Sequence, residues 1–328
     1  MKFGEMPDGE DVTRHRIEGG GLTAYVMSYG ATLQDLRLAG HQPPLVLGFD
    51  RFTPYLTDMS YFGAVVGRCV NRIGAGRFEI DGKAYQLDLN FENRHHMHGG
   101  SLGAGKRNWT VENVSDDQII LRLDMADEEM GYPGNLTVRC TYTCLEGGVL
   151  DVRITAETDA PTVCNFAHHS YWNLDGGENT HDHLMQVDAD RITDVDADFI
   201  STGRTLDVTG TRCDFRKARP IHDDVFIDNN LCLSDARQPL RPIGSLSSTA
   251  SGVTMKMHTT EAGLQVYDAY KMQQDQPGLD GRIYGPRAGV ALEPQAWPDA
   301  VNHASFPTAV LRPNETYEQH TQFEISKG

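Results

Sequence analysis

Apolar and polar positions alternate with a period of two residues along most of this chain, and long stretches with the 3.6-residue helical period are hard to find. Alternation sends successive side chains to opposite faces of a strand, so one face of each such segment is predicted to be buried. The clearest example lies on both sides of the turn Gly147-Gly148. Its apolar positions are Leu136, Val138, Cys140, Tyr142 and Cys144 before the turn and Leu150, Val152, Ile154 and Ala156 after it. This pattern predicts an antiparallel hairpin in an all-β protein.

Other segments repeat the same pattern. Residues 78–89 predict a hairpin around Asp81-Gly82, because Asp-Gly supplies the positive φ angles that a tight turn needs. Further strands are predicted at residues 119–125, 45–47, 253–257, 264–267, 290–293 and 317–325. Residues 191–240 are the least periodic part and predict mainly loops, with room for a short helix. Short strands at this spacing, without a linker-like break, predict one large antiparallel β-sandwich domain over residues 1–328.

Composition and charge exclude several classes of function. No apolar run approaches the ~20 residues that a membrane-spanning helix requires, so an integral membrane protein is not expected. The net charge of -17 repels phosphate backbones and anionic lipids, which argues against nucleic acid or a membrane as a partner. The polar first residues lack the apolar region of a signal peptide, and we expect a cytoplasmic protein.

The histidines and cysteines are the candidate metal ligands of this sequence. The six cysteines contain no C-x-x-C pair, so reduced and mostly buried thiols are expected. His96 and His98 form an H-x-H pair like that of a cupin metal centre, but the next carboxylate after them is Glu112. The sequence therefore predicts no metal site, and a polar or sugar-binding loop is the alternative for this segment.

Two segments carry candidate acid/base chemistry. His168 and His169 lie among aromatic residues, and imidazole can donate or accept a proton near neutral pH. The alternative is a pair of packed core histidines. In residues 290–293, Val290 and Leu292 share one strand face, which sends Glu293 to the other face and into a cleft at the strand end. The alternative there is a Glu that faces solvent.

Taken together, the motifs resemble the aldose 1-epimerase (galactose mutarotase) family. They occur in order along nearly the whole chain and are Gly-Arg-x-x-Asn-Arg-Ile-Gly-x-Gly-x-Phe from Gly67, the His98-Gly-Gly loop, His-Ser-Tyr-x-Asn-Leu from His169, Asp228-Asn-Asn, Leu-Gln-Val-Tyr from Leu264, and Leu-Glu-x-Gln-x-x-Pro-Asp-Ala-x-Asn from Leu292. The resemblance implies a galactose mutarotase-like supersandwich that interconverts the α and β anomers of a monosaccharide, without a cofactor, as a monomer or homodimer.

The resemblance also implies roles for particular residues. His169 would be the general acid and Glu293 the general base. Sugar contacts would come from Asn71, Arg72, His98, Ser170, Tyr171, Asp228 and Gln265. Two departures from the family pattern are His168, where many relatives have Asn, and the segment Tyr267-Asp268-Ala269-Tyr270, where Tyr-Thr-Gly-Asn is usual.

Three alternatives remain open from the sequence. A glycosidase also uses paired acids, although it requires two carboxylates at the bond. A non-catalytic carbohydrate-binding or regulatory sandwich would keep the sugar contacts without turnover. Finally, Arg68, Arg72, Arg77 and Lys271 are compatible with an epimerase for an acidic sugar, or with structural ion pairs that leave only Arg72 at the substrate.

Overall fold

The computed structural model describes residues 1–57, 61–221 and 226–328, and the regular secondary structure of these residues consists almost entirely of strands. In chain order the strands are β1 (Lys2–Glu5), β2 (Asp11–Gly19), β3 (Leu22–Met27), β4 (Thr32–Leu38), β5 (Val65–Val66), β6 (Arg72–Ile73), β7 (Arg77–Ile80), β8 (Lys83–Gln86), β9 (His96–Met97), β10 (Thr110–Val114), β11 (Gln118–Met125), β12 (Leu136–Leu145), β13 (Val149–Thr158), β14 (Thr162–Val163), β15 (Ala167–His168), β16 (Tyr171–Trp172), β17 (His183–Val187), β18 (Arg191–Val195), β19 (Ser201–Asp207), β20 (Arg219–Pro220), β21 (Asp228–Cys232), β22 (Arg241–Ser248), β23 (Val253–Thr259), β24 (Gly263–Tyr267), β25 (Val290–Gln295), β26 (Val310–Leu311) and β27 (Tyr317–Lys327). The helical segments are α1 (Thr53–Thr57) and short 3₁₀ turns at Gly74–Gly76, Ala104–Lys106, Glu129–Gly131, Leu279–Gly281 and Ala300–Asn302. Within the described ranges, no helix is long and apolar enough to cross a membrane.

Two large antiparallel sheets form the body of the protein. The nine-stranded sheet has the order β10-β11-β12-β13-β27-β23-β22-β17-β20, and the six-stranded sheet has the order β16-β25-β24-β21-β18-β19. The C-terminal strand β27 lies at the centre of the larger sheet, between β13 and β23. Strands β1 to β4 form a separate four-stranded sheet at the N-terminal end of the chain.

One large apolar cluster joins the sheets. It includes Val138, Val152 and Phe323 of the nine-stranded sheet together with Leu264 and Leu292 of the six-stranded sheet, all of them fully or almost fully buried. Within each of these strands the members of the cluster occupy alternate positions, so each sheet turns one face to the cluster. The predicted all-β sandwich is confirmed. The cluster leaves the opposite face of β24 and β25 available for polar side chains.

The structure confirms most of the predicted strands and changes three assignments. The hairpins β7–β8 and β12–β13 form as predicted, and Asp81 has a φ of 53° in the first. Residues 45–47 make only an isolated bridge, from Val46 to Trp172. The prediction of loops for residues 191–240 is wrong for much of the segment, which contains β18 to β21 within its described part. The N-terminal sheet was not predicted.

Arg68 lies inside the sandwich and has a structural role. Its guanidinium group is fully buried and donates hydrogen bonds to four backbone carbonyl oxygens and to the hydroxyl of Thr162. The carbonyl acceptors belong to Pro133, Gly134, Met125 and Ala126, with N···O distances between 2.8 and 3.3 Å. Arg77, by contrast, is exposed and donates to Gln86. Arg68 therefore ties together backbone segments around residues 125 and 133.

The contrast between these two arginines gives a stability prediction. Replacement Arg68→Met leaves several buried carbonyl groups without a donor, and each such group costs roughly 1–3 kcal/mol. We expect the free energy of unfolding to fall by at least about 3 kcal/mol in guanidinium chloride titrations. The control Arg77→Met should change it by less than about 0.5 kcal/mol, as is usual for an exposed site. Equal effects of the two replacements would contradict the role assigned to Arg68.

Candidate active site

A cavity of about 270 Å³ lies beside the polar face of the six-stranded sheet, and we call it the His169–Glu293 cavity. Eight of the nine site residues predicted from the sequence line it. These are Asn71, Arg72, His98, His169, Tyr171, Asp228, Gln265 and Glu293. Because they come from chain positions more than 200 residues apart, the fold itself has to assemble this group.

The register of three neighbouring strands explains how the sheet assembles its part of the cavity. Gln265 of β24 lies opposite Glu293 of β25, and Tyr267 of β24 lies opposite Asp228 of β21. Directly opposed residues in an antiparallel pair share one face. Since Leu264 and Leu292 pack into the apolar cluster, the neighbouring positions on each strand must face away from it. The predicted orientation of Glu293 is therefore what the structure shows.

The same alternation separates the residues of the His169 segment. His169 and Tyr171 face the cavity, whereas Trp172 packs into the apolar cluster. Ser170 is fully buried and absent from the cavity lining, and its Oγ lies 2.9 Å from Nε2 of His168. The structure therefore places Ser170 against His168 and outside the cavity lining, and its direct contact with a sugar stays a prediction.

The backbone on each side of His169 is fixed. Its N–H donates to the carbonyl of Ala64, at 2.9 Å, and its carbonyl accepts from the N–H of Gly63, at 3.0 Å. Behind it, the ring of His168 packs against Tyr142 and Phe323 of the nine-stranded sheet. The position of the imidazole in the cavity is therefore set by both the apolar cluster and the neighbouring chain.

His169 and Glu293 form the chemical centre of the cavity. Nε2 of His169 lies 3.6 Å from Oε1 of Glu293, and both side chains are buried. The second atom of each group, Nδ1 of His169 and Oε2 of Glu293, has no hydrogen-bond partner among the described residues. At this separation the two groups are close without a short hydrogen bond that would lock them together.

Burial governs the protonation of the pair. Burial raises the pKa of Glu293 well above its usual value, and the nearby Asp228 raises it further, against an opposing effect of Arg72. Burial also lowers the pKa of His169 to about 4. Burial thus shifts both groups toward their neutral forms, a protonated carboxyl group and an unprotonated imidazole. The pair then holds one proton that can move.

His98 provides a hydrogen-bond donor next to the pair. Its Nδ1 accepts from the backbone N–H of Asn71, at 3.3 Å, so in the neutral ring Nε2 carries the hydrogen. Burial first, and the neighbouring His169 second, hold the pKa of His98 well below its usual value. The ring packs 4.9 Å from the ring of Tyr61 and 5.4 Å from that of His169. His98 therefore presents an uncharged N–H group.

Arg72, Asp228 and Gln265 form a polar network on the other side. Nε2 of Gln265 donates to Oδ1 of Asp228 at 2.6 Å, and Arg72 lies 3.4 Å from Oδ2 of the same carboxylate. The Arg72 guanidinium lies about 5 Å from the rings of both Phe91 and Phe199. Donors and acceptors are thus held in fixed positions, as a ligand rich in hydroxyl groups requires.

The histidines of the His-x-His segment point in different directions. Nδ1 of His96 donates to the carbonyl oxygen of Asp88, and its Nε2 accepts from the hydroxyl of Tyr132, at 2.9 and 2.7 Å. His96 therefore faces away from His98, which lines the cavity. Within the described part of the chain, no group of three or more His, Cys, Asp or Glu residues is arranged to hold a metal ion.

Several cavity residues were not predicted from the sequence. They include Tyr61, Phe91 and Phe199. Tyr61 and Phe199 both have positive φ angles, of 53° and 61°, which bulky residues rarely adopt outside functional sites. For Phe199, the sequence signal that could have indicated a cavity residue is an aromatic side chain inside the Asp-rich segment before β19. Tyr61 had no distinguishing pattern around it.

Known proteins resemble this chain over nearly its whole length. The family described as aldose 1-epimerase matches residues 14–324. Galactose mutarotase from Homo sapiens is 37% identical over 337 residues, covering 99% of this chain and 97% of the relative. Aldose 1-epimerase from Escherichia coli (strain K12) is 28% identical, with 97% and 96% covered.

Solved structures show the same similarity. A GalM/aldose epimerase homologue from C. elegans superposes with a TM-score of 0.90 at 29% identity, covering 96% of this chain and 99% of its own. Galactose 1-epimerase from Lactobacillus acidophilus NCFM gives a TM-score of 0.86 at 25% identity, with 100% and 98% covered. The similarity extends over the strands that carry both sides of the cavity.

The placement of Ser170 can be tested by stability. Replacement Ser170→Ala removes the partner of the His168 imidazole inside the core, and an unpaired buried polar group costs roughly 1–3 kcal/mol. We expect a corresponding drop in the free energy of unfolding in urea. Ser201→Ala is a matched control, because Ser201 is also buried but its Oγ has no partner among the described residues. A neutral Ser170→Ala variant would contradict the core-facing hydrogen bond.

Proposed function

This chain belongs to the aldose 1-epimerase family, and we propose that His169 and Glu293 perform the proton transfers by which it interconverts the α and β anomers of an aldose. The chain is an isomerase that acts on a monosaccharide. The observation that carries the proposed roles is the 3.6 Å approach of His169 Nε2 to Glu293 Oε1, in a cavity lined by fixed hydrogen-bonding groups.

Exchange of anomers requires that the hemiacetal ring opens, that the C1–C2 bond turns, and that the ring closes on the other face of the aldehyde. In the proposed opening step, the Glu293 carboxylate takes the proton of O1 and the His169 imidazolium protonates the ring oxygen as the C1–O5 bond breaks. Closing reverses both transfers. Each such transfer contributes about 10²- to 10⁴-fold to the rate.

The burial of the pair favours the opened state. Opening converts a carboxylate and an imidazolium into a carboxylic acid and a neutral imidazole, which is the protonation state that burial favours for Glu293 and His169. The number of protons on the pair stays at one throughout the cycle. The cavity therefore opposes the charged form from which opening starts and stabilises the neutral form that accompanies the open-chain aldehyde.

The other cavity residues would position the sugar. The Nε2–H group of His98 can donate to a ring or hydroxyl oxygen, and Arg72 offers guanidinium donors while Asp228 offers carboxylate acceptors for hydroxyl groups. The Oδ1 atom of Asn71 accepts from the backbone N–H of Arg72, at 2.8 Å, so Asn71 also holds the turn that carries Arg72. We assign Ser170 a supporting position behind His169.

The remaining sequence-based assignments stay proposals. A single domain over residues 1–328 is supported by one apolar cluster whose members extend from Ile17 to Ile325. A cytoplasmic location is supported by six free, buried cysteines, which suit a reducing compartment. The oligomeric state stays a prediction of a monomer or homodimer.

Polarimetry tests the proposed roles directly. The protein should accelerate the optical-rotation change of freshly dissolved α-D-glucose, and a chelator should leave the rate unchanged. The variants Glu293→Gln and His169→Asn should each lower kcat by about 10²- to 10⁴-fold, because each removes one proton-transfer group.

Matched controls carry the same chemical changes outside the cavity lining. These are Glu324→Gln on β27 and His258→Asn on β23, both in the nine-stranded sheet, and they should retain normal turnover. Near-normal kcat in either cavity variant would contradict the assignment of the acid and base. Sugar binding without any acceleration would instead indicate a carbohydrate-binding sandwich, and cleavage of a nitrophenyl glycoside would indicate a glycosidase.

A further inference from the structure

The segment after β24, residues 268–271, forms a firmly anchored turn. The buried carboxylate of Asp268 accepts from the backbone N–H of Tyr270 and from Nε of Arg287, each at 3.2 Å. The Asp268 N–H donates to the carbonyl of Ile227, and the carbonyl of Ala269 accepts from the N–H of Arg287, both at 3.0 Å. The turn therefore holds Tyr270 and Lys271 in a defined place at the edge of the cavity.

An aromatic stack fixes the two side chains further. The ring of Tyr270 stacks on Phe226, with centroids 4.4 Å apart and planes 19° apart. Nζ of Lys271 lies 5.2 Å from the Tyr270 centroid, and the guanidinium of Arg212 lies 4.9 Å from the Phe226 centroid. Cations at these distances are attracted to the ring faces. Both Tyr270 and Lys271 line the His169–Glu293 cavity.

Lys271 is the cation of the cavity lining that makes no ion pair with the described residues. Arg72 is paired with Asp228, and the rim carboxylates Glu92 and Asp198 are both paired with Arg94. No carboxylate of the described residues lies within the 4.0 Å ion-pair distance of Lys271. In a chain of net charge -17, an ammonium group without an ion-pair partner among the described residues attracts an anion that much of the surface repels.

The position of the acid/base pair sets the orientation of a bound sugar. His169 and Glu293 are deeply buried, whereas Lys271 is exposed and Tyr270 is half-buried. With C1, O1 and the ring oxygen at the pair, the opposite end of the sugar, which includes C4 and its neighbours, is directed toward the mouth. An anionic substituent on that end is then the group that can reach Lys271.

We propose that Lys271, held by the Tyr270–Phe226 stack, binds an anionic group on the end of the aldose remote from C1, so that the protein prefers acidic sugars. The inference rests on the anomer exchange proposed above and names its substrate class. Of the sequence-predicted arginines, Arg68 is buried in the sandwich and Arg77 is absent from the cavity lining, so the preference depends on Lys271. A carboxylate and a phosphate both supply the negatively charged oxygen atoms that Lys271 would bind.

The test compares the anomer exchange of three sugars by NMR exchange spectroscopy of the anomeric protons. They are D-glucose, D-glucuronate and D-glucose 6-phosphate, measured with the unmodified protein, Lys271→Met, Lys271→Glu and Lys83→Met. Lys83 is the matched control, because its Nζ lies 4.9 Å from the Tyr85 ring in the exposed hairpin β7–β8, outside the cavity lining.

The measured quantity is the kcat/KM of each acidic sugar divided by that of glucose. We expect Lys271→Met to lower this ratio by about 3- to 10-fold for at least one anion, since a pair at a partly exposed site is of modest strength. Lys271→Glu should lower it further, Lys83→Met should leave it unchanged, and high salt should lower it in the unmodified protein. The anion whose ratio falls more identifies the carboxylate or the phosphate as the preferred group.

Two results would distinguish a failure of the acidic-sugar inference from a failure of the proposed function. If glucose is exchanged rapidly and the ratios are the same in Lys271→Met and Lys83→Met, the acidic-sugar inference is wrong while the proposed function stands. If none of the three sugars is exchanged faster than in buffer, the proposed function itself is wrong.

Discussion

The rest of the site depends on one constraint, which is the burial of a carboxyl group and an imidazole side by side. They lie at the polar face of a sheet whose other face is the apolar core. Glu293 follows core residue Leu292 on β25, and His169 adjoins buried Ser170. Strand alternation fixes the orientation of Glu293, and backbone hydrogen bonds to Ala64 and Gly63 hold His169 in place. Burial keeps the pair neutral overall, and the 3.6 Å gap between Nε2 and Oε1 leaves both atoms available to a substrate.

The surrounding network accounts for how this pair can act on a sugar. Asp228 raises the pKa of Glu293, whereas Arg72 opposes that effect, so the same polar side chains that can bind hydroxyl groups also influence the proton on the pair. The Asp228 carboxylate is itself restrained by Gln265 and Arg72. A hydroxyl-rich ligand that changes these contacts would shift the balance between the neutral and charged forms of the pair.

Local patterns predicted some parts of the fold and of the site well. The alternation around Glu293 and the Asp81-Gly82 turn are local signals, and the structure confirms both. Strands β18 to β21 could not be read locally, because their stability comes from distant partners such as Cys232 with Arg191 and Asp228 with Tyr267. Polar residues on β21 hide its strand character, although they supply Asp228 to the cavity. Tertiary pairing overrides local propensity in such strands.

Ser170 shows the limit of transferring a motif without its geometry. The resemblance placed it among the sugar contacts, whereas the structure buries it against His168, outside the cavity lining. Tyr61 and Phe199 were missed for the opposite reason, since each has a positive φ that sequence alone does not show. The positions of Tyr270 and Lys271 at the mouth, unlike those of the pair, depend on the turn at residues 268–271.

The pH dependence of kcat/KM tests the single-proton pair most directly, because this parameter reports groups of the free enzyme. Below the His169 pKa of about 4, the pair carries two protons and contains no base. Above the raised pKa of Glu293, the pair carries no proton and contains no acid. We expect kcat/KM for an aldose to fall near pH 4 on the acid side, in protein that circular dichroism shows to be folded, and to fall on the alkaline side with a midpoint well above the usual pKa of a Glu side chain. An acid-side midpoint near 6.5, the value of an ordinary imidazole, would contradict this expectation.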